Sequence, residues 1–366
     1  MMSCRGGEVV VSKPQATPAS PPSPPLCEQE NNPWGRSFNG LGGNMKGSEE
    51  RRLVCLTGGN FYLGSHILKQ LLARGYLVRL ALQHPVEVEE MMMKLKGGGM
   101  DEEVGVGLES VVVGKLGDVD SLCRAFTGCC AVFHTSSSFD PHGVSGYSET
   151  MAFLETEGAK NVIEACGRTA CVKRCIFTSS LLASIWQANV ANAVIDESCW
   201  SDEEFCRDNK LWLALGKTTA EKITWRKSKE MKVNLATICP ALVMAPTFPN
   251  AHTEASLPYL KGGQVMIEQG VLATVDVDTA AKAHVDVYEA MDYGACGRYL
   301  CFDRVVKRLD EVIDLENGLK MHGLLSRGRN ALSNHVEDEE SDQGPLSNAK
   351  LAKLVSYASQ HVSCNQ

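Results

Sequence analysis

A run of glycines and small residues near position 60 has the composition of a phosphate-binding turn. The run is Thr57-Gly58-Gly59-Asn60-Phe61-Tyr62-Leu63-Gly64. It follows a short apolar, β-forming segment at 53–57 and precedes an amphipathic helical pattern that opens at Ser65. A helix N-terminus with bare backbone N–H groups binds the pyrophosphate of a dinucleotide at such a turn, although an isolated glycine motif also fits a plain tight turn. The strand before it, the helix after it and a second strand from Tyr76 favour the dinucleotide.

The elements that would position this turn alternate between strand-like and helix-like segments. Apolar runs typical of strands occur at 53–57, 76–82, 111–113, 131–134, 175–179 and 233–239. Amphipathic segments typical of helices occur at 65–75, 120–128, 146–167 and 207–231. Repeated β-α-β units imply a parallel sheet that is covered by helices on both faces. The sequence therefore predicts a doubly wound parallel α/β fold.

Composition and charge exclude several classes of function. The 366 residues are 44% hydrophobic and 22% charged, close to the globular average, and carry a formal charge of −8. Nucleic-acid binding is disfavoured because basic residues do not alternate with aromatics, and a membrane span is disfavoured because no run of about 18 apolar residues occurs. The 15 cysteines include no CxxC pair and no zinc spacing, so we expect no metal. Reduced cysteines and an N-terminus without an apolar stretch predict a cytoplasmic protein.

The chain is predicted to divide into a tail and two folded parts. Seven of the 14 prolines fall in residues 1–50, and with Ser and Gly they leave too little apolar surface to order the chain, so this tail is predicted to be disordered. A plastid transit peptide is the alternative, which the glutamates of the tail disfavour. Residues 51–246 are assigned to a nucleotide-binding domain. Residues 247–366 are assigned to a smaller C-terminal substrate lobe with a flexible acidic loop at 327–344.

Several motifs together resemble one enzyme family. They are Thr57 to Gly64, Val132-Phe133-His134-Thr135-Ser136, Phe177-Thr178-Ser179-Ser180, Asp196-Glu197-Ser198-Cys199-Trp200-Ser201-Asp202, Gly216-Lys217-Thr218-Thr219-Ala220-Glu221-Lys222, Cys239-Pro240-Ala241-Leu242-Val243 and Ser347-Asn348-Ala349-Lys350-Leu351. The chain resembles the plant cinnamoyl-CoA reductase and dihydroflavonol reductase branch of the extended short-chain dehydrogenases, over residues 51–366. Within it, the chain is similar to the cinnamoyl-CoA reductase-like proteins that lack part of the reductase signature. The resemblance implies a Rossmann fold and an NAD(P)-dependent oxidoreductase that acts on CH–OH or carbonyl groups of a small, phenylpropanoid-type aromatic substrate.

The resemblance also implies which residues form the site. Its serine, which steadies the substrate oxygen, corresponds to Ser180. Its lysine corresponds to Lys217, which would bind the nicotinamide ribose and lower the pKa of a tyrosine four residues earlier. The residues implied for the cofactor are Thr57, Gly58, Gly59, Asn60, Phe61, Leu63, Gly64, Gln83, Thr135, Ser136, Lys217, Pro240 and Val243.

Three positions depart from the family pattern. The middle glycine of TGxxGxxG is Phe61, whose side chain must point away from the pyrophosphate or hold it further out. The arginine that accommodates the 2′-phosphate of NADP is Gln83, which can bind a hydroxyl but cannot neutralise a phosphate, so the family implies NADP while NAD stays open. The tyrosine position is Leu213, and no tyrosine occurs between Tyr147 and Tyr259.

Two hypotheses follow. The first is an NAD(P)-dependent reductase of weak activity, motivated by the retained Ser180 and Lys217. The second is a non-catalytic dinucleotide- or partner-binding protein derived from such a reductase, motivated by Leu213 and Phe61 together. His134 lies at a strand end and is a candidate substitute acid, although a packed, hydrogen-bonded histidine is the favoured interpretation there.

Overall fold

The computed structural model describes residues 52–59, 62–96, 107–135, 147–187, 194–244, 256–321 and 345–362. The predicted disordered tail at 1–50 and the acidic loop at 327–344 lie outside the described residues, as do Asn60, Phe61 and Ser136. Within the described ranges, no helix combines the length and the apolar character needed to cross a membrane.

A seven-stranded parallel sheet forms the centre of the fold. The described strands, numbered along the chain, are β1 (Leu53–Thr57), β2 (Leu77–Leu82), β3 (Leu108–Val113), β4 (Ala131–His134), β5 (Arg174–Thr178), β6 (Asn234–Pro240), β7 (Leu242–Met244), β8 (Ala273–Asp276), β9 (Gly297–Cys301) and β10 (Arg304–Val305). The order across the central sheet is β3-β2-β1-β4-β5-β6-β9, and all of its neighbouring strands are parallel. The order reverses between β1 and β4, which is where a doubly wound sheet opens a binding crevice. The predicted doubly wound α/β Rossmann fold is confirmed.

Helices cover both faces of this sheet. The described helices, numbered along the chain, are α1 (Tyr62–Ala73), α2 (Pro85–Lys96), α3 (Val119–Phe126), α4 (Glu149–Arg168), α5 (Leu182–Ile185), α6 (Glu203–Asp208), α7 (Trp212–Met231), α8 (Ser256–Tyr259), α9 (Gly263–Glu268), α10 (Val277–Ala290), α11 (Leu309–Met321) and α12 (Ala349–Val362). A smaller sheet of order β10-β8-β7 continues from the end of β6. In it β7 is parallel and β10 antiparallel to β8.

Each central strand is buried on both faces because alternate side chains enter different layers. In β1, Val54 and Leu56 belong to the core that includes α1 and α10, whereas Cys55 belongs to the core that includes α3, α4 and α7. All three side chains have no exposed surface. Strands of this kind are continuous apolar runs rather than alternating ones, which is why their positions could be predicted from the sequence.

The segment predicted as one helix at 207–231 contains two helices with a break between them. Asp202 caps α6 by accepting hydrogen bonds from the N–H groups of Glu204 and Phe205. The chain then passes through Lys210, whose φ of 54° is left-handed, before α7 begins at Trp212. The prediction of a single helix was wrong because the left-handed residue interrupts the helical backbone.

The sequence also left the seventh strand unassigned. β9 lies in the stretch assigned to the substrate lobe, yet it pairs with β6 at the edge of the central sheet. The helix before it, α10, packs against α1 on one face of that sheet. Residues 247–366 therefore contribute to the central sheet as well as to the smaller one.

Candidate active site

Glycines hold the turn between β1 and α1 in a conformation that larger residues cannot adopt. Gly58 has a φ of 71°, in the left-handed region that favours glycine. A Cβ added at Gly64 would lie 2.0 Å from the backbone oxygen of Gly58, and one at Gly59 would lie 2.5 Å from Leu80 Cδ2. The backbone at the start of α1, which includes Leu63, therefore comes close to the end of β1 without side chains between them. The three glycines thus allow the close backbone approach that a dinucleotide pyrophosphate needs at a helix N-terminus.

Two threonines and a histidine join the ends of β1 and β4 behind the turn. Thr57 Oγ1 lies 2.8 Å from His134 Nδ1, and Thr135 Oγ1 donates to the backbone oxygen of Thr57 at 2.7 Å. His134 is buried, and burial lowers its pKa to about 4. A histidine that is neutral near pH 7 cannot supply a proton as an imidazolium, so the structure favours packing over acid catalysis at this position.

Arg79 on β2 is committed to neighbouring elements. Its Nε and Nη2 donate to the carboxylate of Glu109, both at 2.9 Å. Its Nη1 donates to the carbonyl oxygens of Ala125 and Thr127, at 3.0 and 2.6 Å. These bonds hold the guanidinium against β3 and α3, so it is not placed to bind a cofactor phosphate.

The residue that follows β2 is Gln83 rather than an arginine, and its backbone contacts a glutamate. Glu87 Oε2 accepts from the backbone N–H groups of Gln83 and His84, both at 3.0 Å, and thereby caps α2. Lys115, which is exposed, follows the neighbouring strand β3. The residue before it, Gly114, donates its backbone N–H to the backbone oxygen of Leu82 at 2.7 Å, so the ends of β2 and β3 lie side by side. In a dinucleotide fold this corner faces the adenosine ribose. Here it combines an amide, a carboxylate and a lysine.

The two serines after β5 have different partners. Ser179 Oγ donates to Glu221 Oε2 at 2.6 Å, so its proton is used inside the protein. Ser180 Oγ accepts from the backbone N–H of Leu182 at 3.2 Å, a bond that leaves the hydroxyl proton available. Of the pair, Ser180 has the hydroxyl that can donate to a substrate oxygen.

Leu213 and Lys217 lie one turn apart on the same face of α7. The Leu213 side chain is buried, and as a hydrocarbon it offers no proton at the position where the motif resemblance implies a tyrosine. Lys217 is largely buried as well, and its Nζ donates to Glu155 Oε1 at 2.6 Å. Burial, and to a smaller extent the positive charge of Lys217, lowers the pKa of His134 at the end of β4.

Glu155 and Tyr147 complete this group from the side of α4. Tyr147 Oη donates to Glu155 Oε2 at 3.3 Å. The phenol packs against Gly216, where an added Cβ would lie 2.7 Å from Oη. Burial, followed by the charge of Glu155, raises the pKa of Tyr147 well above its ordinary value, so this phenol stays protonated.

A buried ion pair lies one turn further along α7. Glu221, one turn after Lys217, accepts from Arg298 Nε at 2.9 Å and from Thr237 Oγ1 at 2.6 Å. Arg298 also lies over the ring of Trp200, 3.8 Å from its centroid. Both members of the pair are at most 2% exposed. The contacts tie α7 to β6 and β9, and so hold the register of Lys217 against the sheet.

The predicted site residues that the structure describes gather at one edge of the sheet. The strand-end positions are Thr57 for β1, Gln83 for β2, Thr135 for β4, Ser180 for β5 and Pro240 for β6. The carboxyl ends of parallel strands meet at the same edge, and the order reversal between β1 and β4 falls within this set. Val243 continues from that edge into β7.

Comparisons with known proteins agree with this geometry. The model of the 3-beta hydroxysteroid dehydrogenase/isomerase family matches residues 55–255. Cinnamoyl-CoA reductase 1 of Petunia hybrida is 38% identical over 267 residues, which cover 71% of this chain and 75% of that protein. The chain belongs to the extended short-chain dehydrogenases. The resemblance to the cinnamoyl-CoA reductase branch of this dehydrogenase family, predicted from the motifs, is confirmed.

Two solved reductases share the dehydrogenase fold. Vestitone reductase from alfalfa superposes with a TM-score of 0.57 at 24% identity, over 82% of this chain and 91% of that chain. Yeast methylglyoxal/isovaleraldehyde reductase, solved with NADPH, superposes with a TM-score of 0.62 at 18% identity, over 83% and 93%. At these identities the likeness concerns the fold.

Glu155 and Tyr147 were not among the predicted site residues of this dehydrogenase. One signal was present in the sequence. Glu155 shares a helix face with Met151, Ala152 and Val162, which are buried, so it is a charged residue within an apolar stripe. A carboxylate in that position needs a buried partner. The sequence could not name Lys217 as that partner, because the two residues are 62 positions apart.

Proposed function

We propose that the protein is an NADPH-dependent reductase of a small aromatic carbonyl compound of the phenylpropanoid type, with NADH accepted as well and with weak activity. The observation that carries the proposal is the convergence of the glycine turn, Ser180 and Lys217 at one edge of the sheet. Relatives named as cinnamoyl-CoA reductases support the substrate class, and the yeast reductase solved with NADPH supports the cofactor.

Each retained residue has a role in the proposed reaction. When bound, NADPH supplies a hydride for the carbonyl carbon. The turn at Gly58 and Gly64 holds the pyrophosphate at the N-terminus of α1. Ser180 donates its hydroxyl proton in a hydrogen bond to the carbonyl oxygen. The ammonium of Lys217 has three protons, of which Glu155 takes one, so two donors suffice for ribose hydroxyls.

The proton donor is the missing part of this site. Because Leu213 is a hydrocarbon, the substrate oxygen must take its proton from Lys217 or from water. A positioned general acid typically contributes about 10²–10⁴ in rate, or about 3–5.5 kcal/mol of barrier. That loss is smaller than the acceleration of most enzymes, so slow turnover is the expected outcome.

Substrate-dependent oxidation of NADPH tests the proposal. We expect slow turnover with at least one member of a panel of hydroxycinnamoyl thioesters and aldehydes. Ser180→Ala should lower this rate without changing NADPH affinity, because Ser180 faces the substrate oxygen. Lys217→Ala should weaken NADPH binding, because it removes donors for the ribose. A folded protein without measurable NADPH affinity would overturn the proposal.

A non-catalytic dinucleotide- or partner-binding protein is the second candidate function. Two observations favour it, namely Leu213 in the tyrosine position and the pairing of Lys217 with Glu155. Measurable NADPH affinity without turnover of any carbonyl compound in the panel would support this candidate over the first.

We also propose a division of labour along the chain, with nucleotide binding by residues 51–246 and a substrate-covering lobe within 247–366, in a cytoplasmic protein of acidic composition. One contact supports the position of the lobe beside the substrate. Gly262 packs against Trp186 and Leu211, since an added Cβ would lie 2.7 Å from the Trp186 ring and 3.5 Å from Leu211 Cδ2. Leu211 is two residues from Leu213, so the lobe approaches the position of the missing phenol.

A further inference from the structure

Glu155 supplies Lys217 with a buried counter-charge. The Lys217 ammonium and the Glu155 carboxylate are 2.6 Å apart, and the two side chains are 12% and 4% exposed. The pair joins α7 to α4, which pack along each other. Ion pairs in such surroundings are weakly screened by water and salt. The positive charge of Lys217 is therefore compensated within the protein.

This compensation bears on the chemistry that the lysine can support. In the proposed site, Lys217 would lower the pKa of a phenol one turn earlier by charge proximity. An opposite charge within about 4–6 Å lowers an acid's pKa by about 1–3 units. A carboxylate held against the same ammonium acts in the opposite direction on the phenol. Lysine and glutamate together present a nearly neutral group to position 213.

We infer that Glu155 is a positioning residue that neutralises Lys217, and that a tyrosine restored at position 213 becomes acidic only when Glu155 is replaced as well. The inference rests on the proposed role of Lys217 as the lysine of the site. By this inference, the site differs from that of a tyrosine-dependent reductase at two residues on two helices, Leu213 on α7 and Glu155 on α4.

Among the described residues, the neighbouring titratable groups Tyr147 and His134 carry no charge near pH 7. Tyr147 on the N-terminal side of α4 stays protonated, because burial and the charge of Glu155 raise its pKa. His134 at the end of β4 stays neutral, because burial lowers its pKa to about 4. Lys217 and Glu155 are thus the charged members of this group of four side chains.

Titration of tyrosinate absorbance in the cofactor-free protein tests the inference. Four proteins are compared, the parent, Leu213→Tyr, Glu155→Gln and the double variant. Subtracting each leucine-bearing protein from its tyrosine-bearing counterpart isolates the phenol at position 213 and cancels Tyr147. With Glu155 present, we expect this phenol to titrate at or above the ordinary value of about 10, because position 213 is buried and the lysine charge is compensated. In the double variant, we expect a pKa lower by about one unit or more.

Glu155→Asp in the Leu213→Tyr background is the matched control, because it keeps the negative charge. The phenol pKa should then stay at the value of the Leu213→Tyr protein. Equal phenol pKa values in Leu213→Tyr and in the double variant would overturn the inference. If Glu155→Gln fails to fold, the Leu213→Tyr protein decides alone, since a phenol pKa already lowered by a unit or more beside Glu155 also overturns it.

The titration separates this inference from the proposed function because it needs neither cofactor nor substrate. If the phenol pKa falls as expected but no variant oxidises NADPH with any carbonyl compound, the inference stands and the proposed reductase activity fails. If the pKa does not fall while the Leu213→Tyr protein turns over, the proposed function stands and the inference fails.

Discussion

Lys217 and Leu213 share one face of α7, so the proposed site combines a lysine with a hydrocarbon at the position where the proposed reaction needs an acid. Ser180 has a hydroxyl proton to offer, and Gly64 lets the backbone of α1 come close to the backbone of Gly58. Gln83 and Lys115 stand where the adenosine ribose is expected. At this scale the molecule is better equipped to bind a dinucleotide than to protonate a substrate.

Cofactor preference follows from the corner formed by Gln83 and Glu87. We expect NADP+ and NAD+ affinities to differ by less than about tenfold, or 1.4 kcal/mol, because Gln83 is uncharged and the Glu87 carboxylate lies 3.0 Å from its backbone N–H. Gln83→Arg should raise NADP+ affinity and leave NAD+ affinity nearly unchanged, since a guanidinium pairs with the 2′-phosphate. Binding titrations with both cofactors measure this.

Lys115→Ala serves as the control for that prediction. It removes a neighbouring positive charge at the end of β3 without touching Gln83. A strong NADP+ preference in the parent that disappears in Lys115→Ala would contradict the prediction and assign the phosphate contact to the lysine. Arg79 is not a candidate for such a contact, because its guanidinium is bound to Glu109 at 2.9 Å.

Individual site residues were predictable to different degrees. Lys217, Ser180 and the glycines stand in motifs with fixed spacing, so the sequence could propose them as site residues. The Glu155 contact was not predictable, because it depends on how two distant segments pack rather than on spacing. The hydrogen bond from Ser179 to Glu221 likewise depends on packing, because the two residues are 42 positions apart and Glu221 lies on α7.

At the scale of elements, short turns decide where the binding groups stand. The left-handed residue Lys210 separates α6 from α7. Because α7 begins just after it, Lys217 lies in the second turn of α7. The sequence predicted helix throughout 207–231 because Lys210 lies within an otherwise helical pattern and is not a glycine. The turn before α1 was predicted correctly because glycines at fixed spacing mark it.

Gly64→Ala tests the turn between β1 and α1. An added methyl would lie 2.0 Å from the Gly58 oxygen, so the backbone must shift. We expect a clear fall in thermal midpoint and at least a tenfold loss of NADPH affinity, about 1.4 kcal/mol, because the helix N-terminus moves away from the pyrophosphate. Thermal unfolding and NADPH titration measure the two effects.

Gly117→Ala is the matched control for the turn. No heavy atom lies within 4 Å of an added Cβ there, and the glycine has no left-handed φ. Its stability and NADPH affinity should match those of the parent. A Gly64→Ala protein that binds NADPH as tightly as the Gly117→Ala protein would show that the turn does not hold the cofactor.

At the scale of the whole molecule, two cores on opposite faces of the central sheet define the fold. The α/β class of the fold was predictable from the sequence, because six of the strands are short apolar runs between helical patterns. β9 was not, because it follows a long stretch whose pattern does not show that the chain returns to the sheet edge. Its arginine, Arg298, closes the buried pair with Glu221 that links both halves of the chain.

Two buried histidines make the stability of the whole protein sensitive to mild acid. His134 bonds to Thr57, and His284 bonds to Thr178 and to the oxygen of Ala280. Burial lowers both pKa values from 6.5 to about 4. Because the folded protein keeps these rings neutral, their stabilising contribution is complete above pH 6.5 and is lost as the pH falls toward 4.

Denaturant unfolding between pH 7 and pH 4.5 measures this loss. The free energy of unfolding should fall by about 1.4 kcal/mol per pH unit for each histidine below pH 6.5. His284→Gln should reduce the slope to that of one histidine, whatever its effect on stability at pH 7. An unfolding free energy that does not change across this range would show that the rings are protonated in the folded state.

The reductase rate of Leu213→Tyr, compared with the parent at saturating NADPH, tests most directly whether the protein keeps its cofactor site and lacks a proton donor at position 213. Some repacking strain, about 1–3 kcal/mol, is expected from the larger ring and is checked by thermal unfolding. We expect unchanged NADPH affinity, a rate at least about tenfold higher, and loss of this gain when Lys217→Ala is added. A folded Leu213→Tyr protein that binds NADPH yet reduces no carbonyl compound faster than the parent would contradict it.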